Sequence, residues 1–227
     1  MLDILERYGL ILLIGQFPLG PLGGVATTLL LAVSTLLLTL PLAILVGLAR
    51  TSSRPFLAWA AAGYVNTVRG LPLLLVIFWA YFAVPLVTGG GLSPFSTMLC
   101  ALVAYETAYL GEVVRAGIMA LPTGQFEASK ALGLRYWTTM RKVVLPQALF
   151  NMIPSILNQF VVVVKNTSLA YVIGVDELTN AAYQVNGQLL TKPFEVYALL
   201  AVAYFCLCAT LTGGVHWIQS RIVVKNK

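Results

Sequence analysis

Five long apolar blocks, separated by short polar cuts, constrain this chain more than any motif in it. A membrane-spanning helix needs about 20 predominantly apolar residues. The first clear block covers residues 25–48 and is closed by Arg50 and Arg54. The second, residues 56–87, is too long for one straight span at about 1.5 Å per residue. It is interrupted at Arg69-Gly70-Leu71-Pro72, which predicts a kink or an interfacial piece ahead of the span. Gly89-Gly90-Gly91 and Ser93-Pro94 then mark a turn outside the bilayer. A third span is expected over 95–119, a fourth from Pro146 to about Ala170, and a fifth over 194–219. Residues 174–192 are polar and read as a partly helical external segment. At the start, Asp3, Glu6 and Arg7 open the chain, and Pro18, Gly20 and Pro21 break the first apolar run, so no cleavable signal peptide is expected.

Composition agrees with the blocks. The chain is 59% hydrophobic and only 10% charged, with a mean hydropathy of +0.88, whereas soluble domains carry about 25% charged residues. An all-α integral membrane protein of five spans follows, treated as one transmembrane domain over residues 1–227. Five spans put the termini on opposite faces, and the positive-inside rule orients them. One side carries Arg50, Arg54, Lys130, Arg135, Arg141, Lys142, Arg221, Lys225 and Lys227, nine cations, against two, Arg7 and Lys192, on the other. The N-terminus is therefore expected outside and the tail in the cytoplasm. Because the 14 Lys+Arg cluster at block ends and form no stripe on a soluble face, a nucleic-acid partner is excluded. Cys100, Cys206 and Cys208 lie inside apolar runs and read as small hydrophobes, not as metal ligands. His216 has no metal-spaced partner, and Trp79, Trp137 and Trp217 read as belt or packing residues.

The longest polar stretch, residues 121–147, sits between spans three and four and so emerges in the cytoplasm. Thr123 is positioned to cap a helix starting near Gly124, with Glu127 near the positive end of its dipole. Gly133 is a left-handed stop, and a second short helix is expected from Tyr136 to Val144, ended by Leu145-Pro146. A helix, a glycine bend and a second helix make a knob that another protein can grip. The alternative is a solvated loop whose charges set topology.

Glu127-Ala128-Ser129, three residues, Gly133, nine residues, Val143, one residue and Leu145-Pro146 closely resemble the E-A-A-x3-G-x9-I-x-L-P loop of ABC importer permeases. Ser129 and Val143 stand where alanine and isoleucine are usual. Three further segments resemble the polar amino acid uptake permeases: Tyr64-Val-Asn-Thr-Val-Arg69-Gly70-Leu-Pro72-Leu-Leu, Glu112-Val-Val-Arg115-Ala-Gly117 and Lys165-Asn166-Thr167-Ser168-Leu169. Within that group of histidine, glutamine and glutamate types, Tyr105-Glu106 and Tyr64-Val-Asn66 lean toward the glutamate/aspartate permeases.

The resemblance implies the type I ABC importer (MetI-like) permease fold in a bacterial inner membrane. It implies a second permease subunit, identical or paralogous, two ATPase subunits that bind ATP and Mg, and a substrate-binding protein. This chain would hold no cofactor itself. Independently, the sequence has no G-x-x-x-x-G-K-[ST] phosphate loop and no Gly-Lys dipeptide, so an ATP-driven reading needs another chain for the nucleotide. The coupling residues would be Gly124, Phe126, Glu127, Ala128, Ser129, Lys130, Gly133 and Leu134.

Intramembrane ionisable groups are the substrate-pathway candidates, because an unpaired charge at a span centre costs roughly 2.5 kcal/mol or more. Lys165, with Asn166, Thr167 and Ser168, could bind a carboxylate, or the lysine could snorkel to the outer interface. Glu106 could receive an α-amino group or pair with Lys165. Arg69 faces either an anionic substrate or phosphate headgroups. Glu112 and Arg115, three apart, can pair in a structural or inner-gate role. The rival class, a stand-alone secondary transporter or channel, needs its own coupling-ion site and gives the 121–147 loop no purpose. No membrane-enzyme constellation is present.

Overall fold

The structure, a computed structural model, describes residues 2–224. Among them every extended element is a helix: α1 (Leu2–Ile14), α2 (Gly24–Arg50), α3 (Pro55–Arg69), α4 (Leu73–Thr88), α5 (Pro94–Met119), α6 (Thr123–Ala131), α7 (Tyr136–Ile173), α8 (Leu178–Leu189) and α9 (Pro193–Val224). Four of them, α2, α5, α7 and α9, are long and apolar enough to cross a membrane, and the broken pair α3 and α4 makes a fifth crossing if counted as one. The expected spans are therefore present, with limits close to those read from the sequence at α2, α5 and α9.

Three local results differ from expectation. The N-terminal run forms a helix, but its 13 residues reach only about 20 Å at 1.5 Å per residue, short of the ~30 Å hydrocarbon core. Pro146 does not end a helix: Tyr136–Thr139 passes through a π-helical turn, Met140–Val144, and continues unbroken as Leu145–Asn166. Proline lacks an N–H and crowds the carbonyl four residues back. A π turn, in which Leu145 N–H bonds Met140 O, shifts the ladder by one residue just before the ring and absorbs it. The third difference lies at the other end of α7, where Thr167–Ile173 tightens into a 3-10 segment closed by Gly174 at φ 80°. The expected interruption of the second block is present: Gly70 ends α3, its N–H shared between Asn66 O and Thr67 O, and Pro72 precedes α4.

The chain divides into two compact units. The first draws its residues from 2–37, 73–103 and 160–224. One core there joins Ile4, Tyr8 and Leu12, a stripe at four-residue spacing on α1, to Leu178, Ala182 and Val185 of α8 and Val196 and Leu199 of α9. A second joins Ala32 to Val163 and Val164, with Phe160, Leu207 and Leu211 packed around them. Gly15 and Leu22 pair in a single antiparallel bridge, which lets the chain turn from α1 into α2.

The second unit comprises residues 38–72 and 104–159. Here α2 and α5 approach through glycine: a Cβ on Gly47 would collide with Val114, and one on Gly111 with Val46. Close backbone approach through small residues is how helices pack where lipid is as apolar as the side chains. Overpacking costs roughly 1–3 kcal/mol. Gly111→Leu is expected to lower the thermal unfolding midpoint of the detergent-purified protein. Gly63→Ala, at a position open on all sides, is expected to leave it unchanged or raise it. A fluorescence melting curve for each variant checks both.

Candidate functional site

The polar loop folds as a helix with a fixed stop. Helix α6 begins at Thr123, and Pro122 occupies the position before it, with no side-chain capping bond. Thr123 is thus the first helical residue and not the cap. Glu127 falls in the second turn, beyond the first-turn reach of the helix dipole. At the other end the structure agrees with expectation. Gly133 has φ 71°, Gly133 N–H bonds Lys130 O at 3.0 Å, and Leu134 N–H bonds Ser129 O at 3.0 Å. This paired closure is a Schellman motif and requires a left-handed residue at Gly133. Ser129 is buried, and its hydroxyl donates to Gln125 O at 2.8 Å, so the departure from alanine leaves no orphaned polar group. Glu127, Ala128, Lys130, Leu132, Leu134 and Trp137 are exposed, while Phe126 is half-buried. Gln147 donates to Val143 O at 2.7 Å and Tyr136 Oη to Thr51 O at 3.4 Å.

The same unit holds the paired charges. Glu112 Oε1 accepts from Arg115 Nε at 2.9 Å and Nη2 at 2.7 Å. Its other oxygen accepts from Arg50 Nη1. The Glu112–Arg115 pair was legible from its spacing. Arg50, read only as a topology marker, joins it from 62 residues away in sequence. The Arg69 guanidinium lies 5.3 Å from the centre of the Tyr109 ring, a cation–π distance. Glu106 is fully buried and accepts from Gln159 Nε2 at 2.6 Å, a partner that the sequence reading did not single out.

In the first unit, Lys165 is exposed and shares a cavity of about 230 Å³ with Ser168, Tyr204, Phe205 and Cys208. Ser168 Oγ donates to Lys165 O at 2.7 Å. Thr167 is fully buried, its hydroxyl donating to Val164 O at 2.7 Å, so it does not line that cavity. Asn166 is half-buried. Bonded to Tyr204 is a carboxylate that was not expected. Glu177 is fully buried and caps α8, accepting Thr179 N–H at 2.8 Å and Asn180 N–H at 3.0 Å. It also accepts Tyr204 Oη at 2.8 Å, and Thr179 Oγ1 lies 3.2 Å from the same phenol oxygen.

Comparison with known proteins identifies the family. The pattern of the family described as "binding-protein-dependent transport system inner membrane component" matches residues 39–224. The chain belongs to that family. It is 37% identical over 200 residues to a probable glutamine ABC transporter permease protein, GlnP, of Bacillus subtilis (strain 168), covering 87% of this chain and 91% of that one. It is 32% identical over 207 residues to the glutamate/aspartate import permease protein GltK of Escherichia coli O157:H7, covering 88% and 92%. A solved structure of an amino acid ABC transporter with histidines superposes at a TM-score of 0.80 with 30% identity, covering 87% and 92%. The fold is also that of the MetNI methionine ABC transporter, at a TM-score of 0.69 and 20% identity.

For a binding-protein-dependent inner membrane component, the two residue groups differ in legibility. The loop and the Glu112–Arg115 pair are local in sequence and could be read from spacing. Glu177 stands in a polar segment with Asp176, Thr179 and Asn180, any of which could cap a helix, so its burial could not be foreseen. Burial pushes its carboxyl up to about 7, although the Thr179, Tyr204 and Asn180 donors all favour the charged form. Since the folded value exceeds the ordinary carboxylate value of 4.5, the folded state holds its proton longer than the unfolded chain. Stability from this group is full below about pH 4.5 and is lost as pH rises through about 7, by roughly 3 kcal/mol. Unfolding midpoints of the nanodisc-held protein are expected to fall over that window, and Glu177→Gln is expected to flatten the slope.

Proposed function

We infer that this chain is the permease subunit of an ATP-binding-cassette importer of polar L-amino acids in a bacterial inner membrane. The observation that carries the reading is the glycine-closed α6 loop with its exposed residues, in a chain whose relatives are named as permeases for glutamine and for glutamate/aspartate. In this reading the N-terminus is external, the loop 121–147 and the tail are cytoplasmic, and the nine-to-two bias of cations supports that orientation. A second permease subunit, a pair of ATPase subunits carrying ATP and Mg, and a substrate-binding protein complete the importer.

Gly124, Phe126, Glu127, Ala128, Ser129, Lys130, Gly133 and Leu134 form the coupling element. Exposed Leu134 and half-buried Phe126 offer an apolar edge, and Glu127 and Lys130 offer charges, to a groove of the ATPase. Helices α5 and α7 flank the loop in sequence, so movement of the loop is handed directly to two spans. Closure of the ATPase pair drives the transition to the extent that its contacts with the loop differ between the two states of the permease. Arg50, Glu112 and Arg115 serve as an ion-paired latch in the same unit as the loop. Lys165 and Ser168 bind substrate carboxylate at the cavity; Asn166 and Thr167 shape the end of that helix; Glu106 and Arg69 are the pathway candidates within the second unit.

Reconstitution tests the reading. Proteoliposomes holding the permease, its ATPase and its binding protein are expected to accumulate a labelled amino acid only with ATP inside the coupling compartment. Uptake by the permease alone would overturn the proposal. Glu127→Lys is expected to weaken co-purification of the ATPase by about tenfold while the chain still inserts and folds; undiminished co-purification would remove the docking role from α6.

A further inference from the structure

Helix α5 carries a polar stripe in its middle. Tyr105, Tyr109 and Glu112 follow four- and three-residue spacing, so they share one face. Each is half-buried and none is sealed in the core. At 1.5 Å per residue, Tyr109 stands about 22 Å from the Pro94 end of the helix and about 15 Å from the Met119 end. The Arg69 guanidinium lies 5.3 Å from the centre of the Tyr109 ring, so a full positive charge is held well inside a span. Charged groups at that depth are costly and rare, and they mark substrate paths.

Donors outnumber acceptors around this arginine. Glu112, one turn farther along α5, is already taken: Arg115 supplies two bonds to one oxygen and Arg50 one to the other. Arg69 is exposed, and it has neither a hydrogen bond nor an ion pair among the described residues. The phenols add to the surplus. Tyr105 Oη and Tyr109 Oη lie 3.1 Å apart, and their mutual bond uses one of two hydroxyl protons and leaves the other free. The face of the Tyr109 ring attracts the cation but cannot match a planar fork of five N–H donors. A carboxylate can, because it accepts two parallel bonds from a guanidinium. A lipid phosphate has the same chemistry, but headgroups lie at the ends of a span and not at its middle.

We propose that Arg69, held against the Tyr109 ring, binds the carboxylate of the amino acid in transit, as a carboxylate site of the second unit that works independently of Lys165. The inference rests on the reading of this chain as an amino acid permease subunit. It also gives the two arginines on Glu112 a purpose: they keep that carboxylate from quenching Arg69.

Fluorine NMR of the permease–ATPase complex in nanodiscs, with 3-fluorotyrosine in place of Tyr109, tests the site locally. The probes are L-glutamine, L-glutamate and L-histidine, each paired with the form in which every carboxylate is a neutral carboxamide. At least one amino acid is expected to shift the resonance saturably, with its carboxamide needing about tenfold more or above, the scale of charge-assisted hydrogen bonds. Arg69→Gln is expected to raise the amino acid midpoint to that of the carboxamide. Arg69→Lys, which keeps the charge and loses the fork, is expected to fall between. Lys165→Ala is expected to leave the midpoint within about twofold, as for an independent site. No shift with any of the three amino acids overturns the proposal, as does a midpoint unchanged in Arg69→Gln. A shift lost in Lys165→Ala as fully as in Arg69→Gln removes the independent site. A resonance that follows the phosphatidylglycerol content of the nanodisc and ignores the amino acids gives Arg69 to a headgroup, and loss of assembly in both Arg69 variants makes it structural; either result overturns the proposal. Failure of the importer reading shows separately, as uptake by the permease alone.

Discussion

Hydrocarbon offers no hydrogen-bond partners, so a chain crossing it must satisfy its backbone from within, and each departure from a straight helix needs a local repair. The breaks in this chain follow that rule. At Gly70 one N–H is shared between two carbonyls of the preceding turn, and Leu71 N–H returns to Val68 O. At Pro146 the repair comes before the damage, as a π turn that moves the ladder by one residue. The end of α7 tightens into a 3-10 segment, where the Thr167 hydroxyl covers the Val164 carbonyl.

Charge is governed by the same scarcity of partners. Glu112 has two arginines, one three residues away and one from another helix. Losing either leaves a carboxylate still paired, so the cluster can exchange partners without stranding a charge in low dielectric. Glu106 has an amide donor from Gln159, and Glu177 has two backbone donors and a phenol. These carboxylates differ in what a change of conformation would cost. The Glu112 contacts are made by long arginine side chains, whereas the Glu177 bonds to α8 come from its own helix start and move with it.

Sequence patterns revealed what depends on length and spacing. Blocks of sufficient apolar length give α2, α5 and α9 nearly to their ends, because the bilayer sets that length. Gly133 was legible because only a residue tolerant of positive φ can close the Schellman motif before Leu134. Contacts distant in sequence were not legible. Arg50 resembled any cation that closes a span, and Gln159 any polar residue in a helix. Gly47 and Gly111 carried no signal that set them apart from the other glycines, yet they are where α2 and α5 touch. Thr123 misled because a good capping residue is chosen by the backbone at its position, and Pro122 had already set that backbone.

In the proposed coupling role, the stiffness of the α6 loop would matter more than its charge. A loop held only by water would dissipate a displacement of an ångström or two. Here three features remove that slack. The Schellman closure fixes the chain direction after α6 through two bonds of 3.0 Å. The Ser129 hydroxyl pins the inner face of the helix to its own carbonyl ladder. The π turn lets the chain run from Tyr136 into the long span without a flexible joint at Pro146. A proline that had ended the helix, as the sequence suggested, would have put a hinge between the loop and the following span. If the nine-residue helix α6 is the coupling element proposed above, the unbroken passage through Pro146 is the feature that would let it act on the span that follows.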